Sequence, residues 1–127
     1  MVYDKNIRIL VVDDFPTMRR IVRSLLRKNG FLNVKEASDG AIALEMVKKG
    51  DFDLIISDWN MPKMNGFELL AAIRESHDQR TLQFLMVVTP AFRGQAYQSL
   101  EKELNGYLVK PFTADTLNEE IKRAMGW

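Results

Sequence analysis

The chain contains no cysteine and a single histidine among its 127 residues. Without cysteine it can form neither a disulfide framework nor a thiolate metal site, and this composition fits a reducing compartment. No apolar run approaches the ~18 residues that a membrane-spanning helix needs, and the first ten residues lack the layout of a signal peptide. The formal net charge is +1, which gives no general attraction to nucleic acid or to an anionic membrane. We therefore expect a cytoplasmic protein that binds neither.

What the chain does have is a regular alternation of apolar runs and amphipathic segments. The runs that predict strands cover residues 7–12, 33–37, 53–57, 84–88 and 106–109. The segments that follow them predict five helices, the fourth over residues 91–104 and the last beginning at Thr113 or Asp115. This alternation predicts an α/β fold with a five-stranded parallel sheet and helices on both faces, a doubly wound architecture. The length suits one domain, so we expect residues 1–127 to form a single unit.

The first of these helices is predicted to have two different faces. It opens at Pro16, a residue suited to the first helical position, and ends at Asn29-Gly30. Its apolar residues recur at spacings of three and four: Met18, Ile21, Val22, Leu25 and Leu26. Its basic residues lie off that stripe: Arg19, Arg20, Arg23, Arg27 and Lys28. We interpret the basic residues as a solvated face rather than a binding site.

The stretch DLIISDWNMP, residues 53–62, holds the strongest candidate for a reactive group. Its unbroken apolar run is typical of a strand covered on both faces, and Asp58 comes at the end of that run. In open α/β sheets, ligands bind at the carboxyl ends of the strands. We therefore interpret Asp58 as the chemical centre of the protein. The lone His77 lies in a polar stretch without ligating neighbours, and we assign it no role.

Polar side chains follow other predicted strands at the same edge. Asp13 and Asp14 follow the first strand, Thr89 the fourth and Lys110 the fifth. Asp13, Asp14 and Thr89 are each explained, when taken alone, as a cap or turn residue, but the convergence of these loops favours a joint site. Neighbouring carboxylates repel one another unless a cation compensates, and oxygen ligands select a hard ion such as Mg²⁺. A carboxylate can itself form an aspartyl-phosphate, to whose oxygens Lys110 would supply positive charge.

Three stretches together resemble a known family: VVDDFPTMRRIVRSLL, ISDWNMPKMNGFELL and GYLVKPFTADTL. They are similar to the receiver domain of two-component response regulators, and most similar to its single-domain chemotaxis members, over essentially the whole chain. The resemblance implies a flavodoxin-like fold with the strand order 2-1-3-4-5. It also implies phosphorylation of Asp58 by a chemotaxis-type histidine kinase. It further implies a monomeric phosphoacceptor signalling domain rather than an enzyme, on which a phosphatase can act.

The resemblance also implies roles for individual residues at the phosphorylation site. Asp14, Asp58 and the backbone carbonyl of Asn60 would ligate Mg²⁺, and Asp13 would act partly through water. Lys110 would contact the phosphoryl group and would precede a cis peptide bond.

A second group of residues is implied in signal output. Tyr107 would be the aromatic side chain that changes orientation on phosphorylation, coupled to a hydroxyl at the end of the fourth strand. The phosphorylated face would then bind the flagellar motor switch protein. In a gap-free alignment with the family from Asp58 to Lys110, Val88 takes the place of that hydroxyl and Thr89 falls one position later. We favour Thr89 as the functional hydroxyl.

The predicted output face departs from the family pattern. Pro90, Phe92 and Gly94 stand where relatives are polar or helix-forming, and Glu120 stands where they carry a basic residue. We therefore expect weakened or redirected motor binding and a mobile segment over residues 89–95. The alternatives are a phosphate sink or regulator of a non-motor partner, and a small hydrolase that uses the same acidic Mg²⁺ site. A cofactor binder is disfavoured, because no glycine-rich phosphate loop follows the first strand.

Overall fold

The computed structural model describes residues 4–76, 82–90 and 104–127. In chain order its elements are β1 (Ile9–Val12), α1 (Pro16–Lys28), β2 (Val34–Ala37), α2 (Gly40–Lys49), β3 (Leu54–Asp58), α3 (Gly66–Glu75), β4 (Gln83–Val88), β5 (Gly106–Val109) and α4 (Ala114–Met125). The helix predicted over residues 91–104 lies almost wholly outside these ranges, as do His77 and most of the segment predicted to be mobile. Within the described ranges no helix is long and apolar enough to cross a membrane.

All five strands run parallel in the order β2-β1-β3-β4-β5. The doubly wound α/β prediction is therefore confirmed, and so is the strand order that the family resemblance implies. β1 and β3 are neighbours, with Val12 opposite Ser57. The residues that follow this pair, Asp13 and Asp58, consequently lie side by side at the carboxyl edge of the sheet.

The sheet separates two apolar cores because successive strand side chains point to opposite faces. In β1, Ile9 and Val11 belong to the core that α1 and α4 cover. Leu10 and Val12 belong to the core that α2 and α3 cover. Every residue of β1 and β3 is buried, as expected for central strands covered on both sides.

Some predicted boundaries need correction. The first strand begins at Ile9 rather than at residue 7, because the Arg8 N–H donates to the Asp53 carboxylate (2.8 Å) instead of to a strand. The last helix is capped by Thr113, whose hydroxyl accepts from the Thr116 N–H, and not by Asp115. Ile21, which the periodicity assigned to the apolar stripe of α1, is 47% exposed.

Candidate functional site

The acid pair follows β1 directly, and hydrogen bonds hold its first member on three sides. The Asp13 N–H donates to the carbonyl of Ala37 at the end of β2 (3.2 Å). One Asp13 carboxylate oxygen accepts from the Phe15 N–H (2.9 Å). The Asp13 carbonyl accepts from the Arg19 guanidinium (2.6 Å). Asp13 is 3% exposed, so its side chain points into the fold and not into a solvated turn.

Asp58 is the last residue of β3 and is buried. Lys110 follows β5, and its N–H donates to the carbonyl of Val88 (2.9 Å). β4 lies between β3 and β5, so the Lys110 side chain reaches across one strand to bring its Nζ to 3.4 Å from Asp58 Oδ1. The peptide bond after Lys110 is cis, as the resemblance implies.

Three carboxylates meet at this edge, and we call Asp13, Asp14 and Asp58 the acid cluster. One carboxylate oxygen from each lies within 4.8 Å of the other two. Asp14 Oδ1 is buried and accepts no hydrogen bond from the residues that the structure describes. A buried carboxylate oxygen without a donor is costly, and coordination to a cation would remove that cost. The donor set is all oxygen, which fits Mg²⁺.

Burial also changes the acidity of the cluster. Burial raises the pKa of Asp13, against the hydrogen bond from the Phe15 N–H, and the nearby Asp58 charge raises it further. Burial likewise raises the pKa of Asp58, against the attraction of Lys110. Because desolvation disfavours the charged form, the ionised cluster is under electrostatic stress that a bound cation would relieve.

The loop after β3 is held by a close approach of α3. The Gly66 N–H donates to the Trp59 carbonyl (2.9 Å). A Cβ at position 66 would lie 2.6 Å from the Asp58 carbonyl oxygen and 2.6 Å from Met86 Sδ. Position 66 therefore has room only for glycine, because a Cβ would clash with these atoms. The contact of Gly66 with Asp58 was not predicted from the sequence. Asn60 lies in this loop and is exposed.

Val88 and Thr89 lie in different surroundings at the end of β4. Val88 is buried in the core on the α2 and α3 side, and Tyr107 packs half-buried against the same core with its hydroxyl oxygen buried. Thr89 follows the strand and is exposed. Asp58 lies opposite Val87 in the sheet, so Val87 has the register of Asp58. Val88 is buried on the face that Tyr107 packs against, and Thr89 lies beyond the last residue of β4. The role of Thr89 as the functional hydroxyl stays a prediction.

The arginines of α1 do not all form a solvated face, which corrects that interpretation. Arg19 is largely buried and donates from Nε to Glu36 Oε1 (3.0 Å). Arg23 donates to the second oxygen, Glu36 Oε2 (2.9 Å). Two arginines beside it hold the pKa of Glu36 below its ordinary value, against the opposing effect of burial. Arg20 and Arg27 are exposed, as predicted.

The fold and the acid cluster define a doubly wound α/β protein with an acidic site at the carboxyl edge of its sheet. The chain belongs to the response regulator receiver domain family, whose model matches residues 9–122. It is 51% identical over 122 residues to chemotaxis protein CheY-3 of Vibrio cholerae, which covers 96% of this chain and 94% of that protein. It is 49% identical over 116 residues to chemotaxis protein CheY of Pseudomonas aeruginosa, covering 91% and 94%.

A solved structure is also similar to this fold. It is the receiver domain of sensor histidine kinase PA1611 from Pseudomonas aeruginosa, with a magnesium ion coordinated in its active-site cleft. The TM-score is 0.85 at 26% identity, covering 96% of this chain and 99% of that one. The prediction of a receiver domain of the chemotaxis type is confirmed by these relatives.

Proposed function

We propose that the protein is a chemotaxis-type response regulator in which a histidine kinase phosphorylates Asp58 in a Mg²⁺-dependent reaction. The observation that carries this proposal is the meeting of three carboxylates within 4.8 Å of one another, with Lys110 Nζ 3.4 Å from Asp58 Oδ1. The magnesium ion recorded for the Pseudomonas aeruginosa receiver supports the same cation here.

In the proposed reaction an Asp58 carboxylate oxygen forms a bond to phosphorus while the bond from phosphorus to the donor's imidazole nitrogen breaks. The imidazole leaves and takes a proton from water. Asp58 needs no general base, because the attacking group is a carboxylate oxygen, and the bound cation and Lys110 would favour its ionised form. The Lys110 ammonium would exchange its contact with the Asp58 carboxylate for a contact with the phosphoryl oxygens. Charge neutralisation and positioning supply most of the catalysis in phosphoryl transfer.

The cation would be held by Asp13, Asp14, Asp58 and the Asn60 carbonyl. Asp14 is suited to direct coordination because one of its oxygens is buried without a donor among the described residues. Bound there, Mg²⁺ would neutralise the ionised carboxylates and the incoming phosphoryl oxygens. We propose that Asp13 acts partly through water, since one of its oxygens already accepts from Phe15.

Signal output would be a shift between two populations of the domain. A phosphoryl group on Asp58 would recruit the Thr89 hydroxyl and favour an inward Tyr107, and a partner that prefers this state would bind more tightly. The default partner is the flagellar motor switch protein. The alternative is a non-motor partner or a phosphate sink. Glu120 on α4 supports this alternative, because its carboxylate lies beside β5 and pairs with Arg123 at 2.6 Å.

Phosphoryl incorporation from a small-molecule phosphoramidate, followed by intact-protein mass spectrometry, tests the chemistry. We expect stoichiometric, Mg²⁺-dependent incorporation in the natural protein and none in Asp58→Asn. Lys110→Ala should slow incorporation by at least about 100-fold, the usual scale for removing one transition-state donor. The exposed Asp51→Asn is the matched control and should react normally. Incorporation that survives Asp58→Asn or EDTA would contradict the proposal.

The partner is tested separately with beryllofluoride, which mimics an aspartyl-phosphate. Titration with a motor switch peptide, with and without beryllofluoride, should show weak binding with little enhancement. Normal enhancement would instead establish the motor as the partner. Recovery of the enhancement in Glu120→Lys would identify Glu120 as the cause of the weakening.

A further inference from the structure

The Arg19 guanidinium connects three parts of the structure: α1, the loop that follows β1, and the next strand, β2. It projects from α1, donates from Nη1 to the Asp13 carbonyl (2.6 Å) and donates from Nε to Glu36 on β2 (3.0 Å). Only 16% of its side chain is exposed. A charge-assisted hydrogen bond of this length is stronger than a neutral one, so the position of the Asp13 carbonyl is tied to that of α1 and β2.

This carbonyl matters because it shares a peptide plane with the next residue. The Asp13 C=O and the Asp14 N–H belong to one rigid planar unit. Holding the carbonyl therefore fixes the orientation of the amide and the Cα of Asp14. The Asp13 N–H is held from the opposite side by the Ala37 carbonyl. Among the residues that the structure describes, none donates a hydrogen bond to the buried Oδ1 of Asp14, so the orientation of this side chain depends on the backbone that precedes it.

Glu36 provides the support for Arg19. Its two carboxylate oxygens accept from different arginines, Oε1 from Arg19 and Oε2 from Arg23. Glu36 comes directly before Ala37, the residue that accepts from the Asp13 N–H. Two consecutive residues of β2 thus fix both sides of the Asp13 backbone, one directly and the other through Arg19.

We propose that Arg19 is a positioning residue for cation binding, which aims Asp14 by holding the Asp13–Asp14 peptide, and that Glu36 orients Arg19 for this task. This inference rests on the proposed function, since it concerns the same acidic site. Arg19 contacts neither the cation nor the phosphoryl group, and it acts through the backbone. Partners that orient ligands in this way typically contribute about 10-fold or more to metal affinity.

Mg²⁺ affinity measured by the fluorescence of Trp59, which adjoins Asp58, tests the proposal. Trp127→Phe provides a background with one tryptophan and keeps an aromatic ring against Phe31, on which Trp127 stacks. We expect Arg19→Gln to raise the Kd for Mg²⁺ about 10-fold. Glu36→Gln should raise it less, because Arg19 then keeps its bond to Asp13. The Kd of Arg19→Lys should lie between that of the natural protein and that of Arg19→Gln, since one ammonium cannot match the forked donors of the guanidinium.

Arg20→Gln is the matched control, because Arg20 is the next residue of the same helix and is exposed. It should leave the Kd unchanged. Urea unfolding of each variant separates positioning from stability. A variant that loses stability while its folded form binds Mg²⁺ as tightly as the natural protein would overturn the proposal.

A second readout needs no metal. In EDTA, the Asp14 amide signal of Arg19→Gln should shift in nuclear magnetic resonance spectra and exchange faster with solvent, while that of Arg20→Gln should not. An unmoved Asp14 amide in Arg19→Gln would also overturn the proposal. Failure of the proposed function is distinguished because the natural protein itself would then show no Mg²⁺-dependent signal.

Discussion

At the scale of single residues, the ionised carboxylates of the acid cluster destabilise the folded state. Burial raises the pKa of both Asp13 and Asp58. A raised pKa means that the folded state binds the proton more tightly than the unfolded state does. The stabilisation from each group is therefore complete below the unfolded pKa and is lost as pH rises through the folded pKa.

Asp58→Asn should consequently stabilise the metal-free protein at neutral pH, because it removes a buried charge. We expect the free energy of unfolding at pH 7 in EDTA to rise by roughly 1 kcal/mol, a common size for a single substitution. The gain should shrink when the pH is lowered to 4, because burial raises the pKa of the natural carboxyl and protonation removes its buried charge. Urea unfolding at both pH values measures it, with Asp51→Asn as the exposed control. A less stable variant at pH 7 would show that the Lys110 pairing outweighs burial.

The residues of this site could be predicted because the carboxyl ends of parallel strands lie at the same edge of a sheet. Asp13, Asp14, Asp58 and Lys110 were each named from the sequence, and the structure brings them together. The part played by Arg19 could not be predicted. It lies off the apolar stripe of α1, and its partner Glu36 comes from β2, so tertiary packing alone defines the contact.

At the scale of elements, the approach of α3 to the end of β3 depends on Gly66, which has no side chain. A methyl group at position 66 would overlap the Asp58 carbonyl and Met86 Sδ, each at 2.6 Å. Gly66→Ala should therefore push α3 or the Asp58 backbone away. We expect a loss of about 1–3 kcal/mol, the usual cost of overpacking, measured by urea unfolding.

Gly50→Ala is the control for this substitution, because a Cβ there would meet the Met46 carbonyl at an ordinary 3.4 Å. It should change stability little. Equal effects of the two substitutions would show that glycine flexibility, and not the close approach, governs position 66.

The strands were predictable for a simple physical reason. Central parallel strands are apolar along their whole length, so β1, β3 and β4 stand out as runs, whereas a helix shows only a stripe. The errors occurred where local contacts override the pattern. The Asp53 carboxylate takes the Arg8 N–H before β1 begins. Ile21 matches the helical period, yet it lies at the border of the stripe and is exposed.

At the scale of the whole molecule, metal binding and folding should be linked. A cation that binds the folded acid cluster but not the unfolded chain stabilises the fold by RT ln(1 + [L]/Kd), about 2.7 kcal/mol at 100 times Kd. We expect Mg²⁺ to raise the unfolding midpoint at pH 7. At pH 4 protons compete for the carboxylates, whose pKa burial raises for Asp13 and Asp58, and the effect should be small.

The Glu36 pairs provide an internal contrast in the same measurements. The lowered pKa of Glu36 gives stability that is present above its unfolded pKa and is lost as pH falls through the folded pKa. This contribution changes with pH in the opposite direction to that of the acid cluster and is present without Mg²⁺. Glu36→Gln should therefore flatten the acid limb of the pH profile in EDTA, where its effect on Mg²⁺ affinity does not enter. Asp58→Asn should abolish the difference between EDTA and Mg²⁺ at pH 7, and a Mg²⁺ effect that survived this change would place the cation elsewhere.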